Sequence, residues 1–350
     1  MAGSNGSSKA TRLRWARWRD DARVMRLRFR DLRLRVTDNP ALGRSIDRLY
    51  GELAEAGVRR FRPPCWLSTE WFSPDGVPGI AIPFYLAHPR LMRLEERQML
   101  AVEGGSEAQR MRILRHEAGH AVCTAYRLHR RKAWRQAFGA MTEPYPDVYR
   151  PRPGSRRYVT HLPFWYAQAH PAEDFAETFA VWLTPRSRWR KTYAGWPALR
   201  KLELVDALMD EVGAAPPPVT SRRRPEALGS LDRTLAEHYR SKRKRYGADL
   251  PDMGDADLHR LFAPGEARPD RPTAASFLRG IRSEVRDAVA LWTGAPPYTI
   301  DQVLAECIER CRKHGLRLTG SRRVAQQHAM LMVASRTMTY LHAGVQPVVL

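Results

Sequence analysis

Apolar residues recur at three- and four-residue steps between Glu107 and about Leu128, where Met111, Ile113, Leu114, Ala118, Ala121, Val122 and Ala125 are interspersed with Arg110, Arg112, Arg115 and Arg127. That period predicts a helix. Gly104-Gly105-Ser106 before it supplies a turn and an N-cap. A second helical pattern follows His170-Pro171, with Ala176, Phe179, Ala180 and Leu183 on one face and Glu173 and Asp174 near the positive end. Ala41 to Gly57 reads as a third helix, and Trp15 to Arg19 as a short one. Strand signals are weaker. Val24 to Val36 alternates Arg with Leu, Phe and Val, Val58 to Leu67 reads as extended, and Gly79 to Ala87 forms an apolar run whose Pro83 argues for a sheet edge. Arg130 to Arg157, rich in Arg, Pro and Tyr, is expected to be a long loop between the two later helices.

Beyond Gly213 helical patterns lie near 230 to 246, 273 to 293, 299 to 314 and 320 to 343, with no strand signal and no repeat period. The expected organisation is a flexible basic N-terminus (1–22), an α+β domain (23–213), a Pro/Arg-rich linker (214–229) and a helical C-terminal domain (230–350). Such a length can bury a substantial core.

Chemistry enters with His116-Glu117-Ala118-Gly119-His120. On a helix, the i and i+4 spacing turns both imidazoles to one face, able to ligate one metal, with Glu117 beside them as general base. A catalytic zinc needs a third protein ligand and an open position. A third histidine six residues after the second is absent, since Ala121 to Arg127 contains none. A carboxylate from a later helix remains. Glu173 and Glu177 lie one turn apart on a common side, so that one can reach the metal and the other can hold a ligand histidine by its second ring nitrogen. Asp174, His161 and His170 are further candidates for the third ligand.

The pair HEAGH and YAQAHPAEDFAETFAVWL resembles the zinc-binding metallopeptidases of the gluzincin type, in which an HExGH helix is followed by an HPxEDFAET-like helix. The likeness covers roughly residues 25 to 215. It implies a zincin-like core, with a small twisted N-terminal sheet, the HExxH helix and a helical lower half. It also implies zinc ligands His116, His120 and Glu173, Glu117 as catalytic base and Glu177 supporting a ligand histidine. Tyr166, seven residues before Glu173, becomes the stabiliser of the oxyanion, although Phe164-Trp165-Tyr166 also reads as packed aromatics. His170 is a donor near the site or a helix cap. In zincins generally an edge strand binds extended substrate by strand addition, the role expected for Gly79 to Ala87. The chain departs from many relatives in one respect. With only Cys65, Cys123, Cys307 and Cys311, and no CxxC, it cannot build their N-terminal zinc ribbon.

The resulting expectation is a Zn2+-dependent hydrolase of peptide bonds. A formal net charge of +22 adds long-range attraction for acidic substrates, and it is spread out, with 37 Lys and Arg against 23 Asp and Glu through residue 217. Ser241-Lys242-Arg243-Lys244-Arg245 is the densest cluster, and Trp15, Arg17, Trp18 and Arg19 interleave aromatic and basic groups. A second expectation is therefore a nucleic-acid-associated protein in which the zinc site is secondary. There is no apolar leader and no run long enough to span a membrane. Four cysteines without a framework pattern fit a reducing compartment, so the expected location is the cytoplasm; Cys307 and Cys311, one turn apart, are expected to be packed thiols rather than a metal pair.

Overall fold

The computed structural model describes residues 13–146, 149–247, 255–267 and 269–342. Their contacts divide into two units, the first holding the described residues up to Glu96 and Val102–His238, the second Arg97–Ala101 and the described residues between Tyr239 and His342.

In the first unit the helix Pro40–Glu55 opens with an Asn39 cap that accepts from the Ala41 N–H, and it buries Leu42, Ile46, Leu49 and Leu53. The first motif helix, Glu107–Ala125, starts as the sequence predicts. Ser106 accepts from the Gln109 N–H at 3.2 Å. This helix is not amphipathic in effect, because Arg110 and Arg115 are buried as well as its apolar residues. Arg115 makes a two-pronged ion pair with Glu52, 2.7 Å on each arm, and Arg110 donates to Ser45 Oγ and to the Gly104 carbonyl. Each buried guanidinium thereby keeps its partners, which is the condition for burying a charge at tolerable cost. Together these contacts brace the motif helix against Pro40–Glu55.

The second motif helix, Pro171–Leu183, packs directly on the first. A Cβ placed on Gly119 would meet Ala176 Cα at 2.9 Å and the Ala176 carbonyl oxygen at 3.2 Å. Only a glycine allows the two backbones to approach so closely. Between the motif helices, the expected loop contains a further helix, Lys132–Phe138, whose Trp134 and Phe138 pack on Phe175.

The sheet is small. Strand β1 (Cys65–Ser68) pairs in parallel with β2 (Ile80–Pro83), in the register Cys65 to Ile80 through Ser68 to Pro83. Three expectations are corrected here. Val24–Val36 is not a strand; it contains the end of a short helix, Asp21–Met25, and a 3-10 turn at Phe29–Leu32, because Val24, Phe29 and Leu32 are buried at uneven spacing. The strand expected from Val58 shrinks to β1, since Pro63 and Pro64 offer no N–H to a ladder. Gly79–Ala87 is not a free edge. Only β2 is extended, Phe84–Ala87 turns into a 3-10 helix, and Phe72 exchanges two backbone hydrogen bonds with Ala81 on the side opposite β1. Its complete burial explains the unbroken apolar run.

Two segments expected to be loose are bonded to the unit. Of the N-terminal 22 residues, 1–12 lie outside the described residues, while Trp15 is buried and its indole N–H donates to the Leu32 carbonyl. Residues 214–229 run along the unit. Val219 N–H caps the Ala125 carbonyl, Tyr126 Oη donates to Ala215, and Trp66 and Ser68 of β1 donate to the carbonyls of Pro225 and Glu226. Further along, Arg233 and Leu235 bond to the backbone of Phe29 and Leu27.

The second unit is mainly helical, with Asp255–Leu261, Ala274–Thr293, Pro297–Lys313 and Arg322–His342 enclosing a core that includes Leu258, Phe277, Ile281, Leu304 and Cys307. It is not all helical. Strand β3 (Phe262–Pro264) pairs antiparallel with β4 (Leu316–Leu318), three residues each and far apart in sequence, too short to leave an alternation signal. Cys307 and Cys311 are free, buried thiols that burial pushes up to about 12. No described helix is long and apolar enough to cross a membrane.

Candidate metal centre

The two motif helices bring His116, His120 and Glu173 together, with one ligand atom from each lying within 4.8 Å of the others. The separations are informative. His116 Nε2 lies 3.0 Å from Glu173 Oε2 and 3.1 Å from His120 Nε2, and the latter is 3.2 Å from Glu173 Oε2. Ligand atoms on a tetrahedral zinc, at bond lengths near 2.1 Å, sit about 3.4 Å apart.

Glu177 fixes the tautomer. His116 Nδ1 donates to Glu177 Oε1 at 2.9 Å, while Glu177 Oε2 accepts from the Leu162 N–H at 2.8 Å. In the neutral ring Nε2 would be left with a bare lone pair, facing a carboxylate oxygen and a second imidazole nitrogen. Three converging acceptors repel unless a cation lies among them. Without a metal, that positive charge is a proton on His116, shared between Glu173 and Glu177. Burial opposes a charged His116, yet hydrogen bonds to Glu173 and Glu177 outweigh it and raise its pKa to about 10. Burial likewise pushes Glu173 upward, but the two histidines win and hold it well below the usual carboxylate range. Two imidazole nitrogens and a carboxylate oxygen are a donor set suited to zinc, and buried carboxylates at Glu117, Glu173 and Glu177 ask for positive charge.

Glu117 stands beside this cluster with both carboxylate oxygens buried and unpartnered among the described residues. Burial raises its pKa, against the opposing pull of His120 and His116. Tyr166 is close as well. Its ring centroid lies 5.7 Å from that of His116, its Oη is buried without a partner, and burial keeps the phenol protonated by raising its pKa well above the ordinary value. Phe164 and Trp165, immediately before it, both adopt left-handed backbone conformations, φ 66° and 56°, which are uncommon for aromatic residues and set the tight turn that carries Tyr166.

The remaining candidates fall outside the ligand group. His161 Nε2 donates to the Arg112 carbonyl at 3.0 Å, and Asp174 pairs with Lys201 Nζ at 2.5 Å. His170 caps the second motif helix, its Nδ1 accepting from the Ala172 N–H and its Nε2 donating to the Glu143 carbonyl. One functional contact escapes the sequence reading. Tyr145 stacks on the His170 ring, centroids 3.8 Å apart and planes 17° apart, and its Oη donates to Glu173 Oε1 at 2.8 Å. The only signal for it is the clustering of Tyr and Pro in the loop, which specifies no partner.

A cleft of about 500 Å³ opens over the cluster, with Glu117, His120, Tyr166 and Glu173 in its lining and Phe72–Asp75 along one side. If His116 is a zinc ligand, Glu177→Gln should weaken zinc binding by about 10–100-fold, because the imidazole loses the anion that aims it. Competition with a chromophoric chelator measures this; an unchanged affinity would refute the role assigned to Glu177.

Residues 106–194 match a family described as "Putative zinc-binding metallo-peptidase". No curated protein and no solved structure matches the chain.

Proposed function

We propose, from the match of residues 106–194 to the zinc-binding metallo-peptidase family, that this protein hydrolyses peptide bonds with a zinc ion held by His116, His120 and Glu173. The observation that carries the reading is the triangle of acceptor atoms with an unpartnered carboxylate, Glu117, next to it. Zinc bound there supplies Lewis acidity toward a carbonyl and lowers the pKa of water toward neutrality.

The chain's own groups do the rest. Glu117 takes a proton from the attacking water and returns it to the departing amine, a shuttle for which its buried, unpaired oxygens leave room. Tyr166, kept protonated by burial, donates its O–H to the oxyanion that develops on the former carbonyl. Tyr145 orients Glu173 through its other oxygen, while His170 holds the Tyr145 ring and caps the same helix. Glu177 keeps His116 in the tautomer that leaves Nε2 free. The alternative expected from the basic charge, the Ser241–Arg245 cluster and the interleaved Trp15, Arg17, Trp18 and Arg19, a nucleic-acid-associated protein, draws on no feature of this site.

The test joins metal analysis with proteome-wide cleavage profiling. Purified protein should contain one zinc per chain, lose cleavage when a chelator strips the metal, and regain it when zinc returns. Cleavage that persists in metal-free protein would sink the proposal.

A further inference from the structure

The walls of the cleft carry a charge opposite to that of the protein. The sequence holds 59 Lys and Arg against 37 Asp and Glu, yet no Lys or Arg lines the cleft among the described residues. The charged groups that do are Glu117, Glu173 and Asp75, together with the imidazole of His120. Glu117 and Glu173 are committed to the chemistry. Asp75 is not: it makes no hydrogen bond or ion pair among the described residues, and it is exposed.

Its position is set by a firm turn. Ser73 Oγ donates to the Gly79 carbonyl at 2.7 Å, the Val77 N–H closes back on Pro74 at 3.1 Å, and Gly76 takes the left-handed conformation, φ 71°, that such a reversal needs. Phe72, just before the turn, is tied to Ala81 by two backbone hydrogen bonds. The carboxylate is thus carried on a fixed arm beside the reacting groups. Phe72, Met141 and Pro146 give the same cleft apolar wall. An apolar wall ending in a free carboxylate suits a side chain with a long aliphatic stem and a cationic tip.

We propose that Asp75 is a specificity-determining residue that selects a lysine or arginine close to the scissile bond. The inference rests on the peptidase reading and names its substrate class. It also replaces the acidic substrates expected from the net charge. That charge acts over the whole surface and is screened within about 8–10 Å at physiological salt, whereas selection at the bond depends on the groups lining the cleft.

Full-length zinc-loaded protein given a randomised peptide pool, with cut sites read by mass spectrometry, tests the assignment. Because an exposed ion pair is worth at most about a factor of five, Lys and Arg should be enriched about fivefold over Gln near the cut bond, with Glu depleted. In Asp75→Asn that ratio should fall to near unity, and in Asp75→Lys it should invert toward Glu. A second readout needs no turnover. Fluorescence anisotropy with Glu117→Gln protein should show a Lys peptide binding about fivefold tighter than its Gln counterpart, the difference vanishing in the Asp75→Asn, Glu117→Gln double variant. Equal enrichment of Lys, Gln and Glu in the wild type, or a basic preference that survives Asp75→Asn, overturns the proposal while leaving the peptidase reading intact. A binding preference that depends on Asp75, with no cleavage by the wild type, refutes the peptidase reading and the placement beside a scissile bond, and leaves Asp75 as the selector of a basic side chain in the cleft.

Discussion

Glu117→Gln should keep its full complement of zinc and lose about 10²–10⁴-fold in kcat. The substitution is nearly isosteric, and the wild-type carboxylate makes no hydrogen bond within the protein that the amide would forfeit. Glu117 is also outside the group of His116, His120 and Glu173 that could hold a metal, so the substitution removes none of the proposed ligands. What the amide cannot do is accept a proton. Zinc content by mass spectrometry and kcat on a cleaved peptide form the paired measurement. A variant that loses its zinc would assign Glu117 to the metal, and one that keeps kcat within tenfold of wild type would remove it from the chemistry.

Gly119→Val should destabilise the first unit by about 3 kcal/mol, the upper part of the range for overpacking a close contact. An added Cβ has nowhere to go. It would lie 2.9 Å from Ala176 Cα and 3.2 Å from Phe179 Cβ, on the helix that carries Glu173 and Glu177. The neighbour at the closest point is backbone, which cannot rotate aside. Relief therefore requires the second motif helix to move, and with it the two carboxylates that meet His116 at 2.9 and 3.0 Å. Zinc affinity should consequently fall along with thermal stability, the latter by roughly 6–12 °C at the scaling expected for a unit of this size. Gly119→Ala should be milder, since about 1 kcal/mol of helix propensity offsets part of the clash. Wild-type melting and zinc affinity in the valine variant would show that the two helices are not held as closely as the structure has them.

The contacts that sequence could announce are those made by short-range chemistry. Ser106 three residues before Gln109, Pro171 behind His170, and histidines four apart on one helix are all visible as spacings, and the motif helices begin where those spacings put them. The pairing of Glu173 and Glu177 with the imidazoles is also foreshadowed by one turn of helix, because either carboxylate had to face the other motif. Tyr145 could not be foreseen, since its two partners lie 25 and 28 residues away and nothing in an irregular loop fixes their distance. The sheet was misjudged for a related reason. Proline at position 83 suggested a margin, but a strand only four residues long can end on a proline without losing a ladder bond, and Phe72 covers its other side. Arg110 and Arg115 are merely interspersed polar positions in the pattern of the first motif helix, and the partners that account for their burial, Ser45 and Glu52, come from a distant helix.

The backbone bonds from Phe29 to Arg233 and from Leu235 to Leu27 join the two ends of the first unit like a clasp. Synthesis runs in one direction, and domains fold as units once their whole sequence is available. Both motif helices leave the ribosome well before residues 215–235, which close the Ala125 carbonyl, the outer margin of β1 and the clasp itself. Completion of the first unit is thereby a late event in translation, and a gene fragment cut at residue 194 would encode both motif helices without the closure that holds their scaffold together.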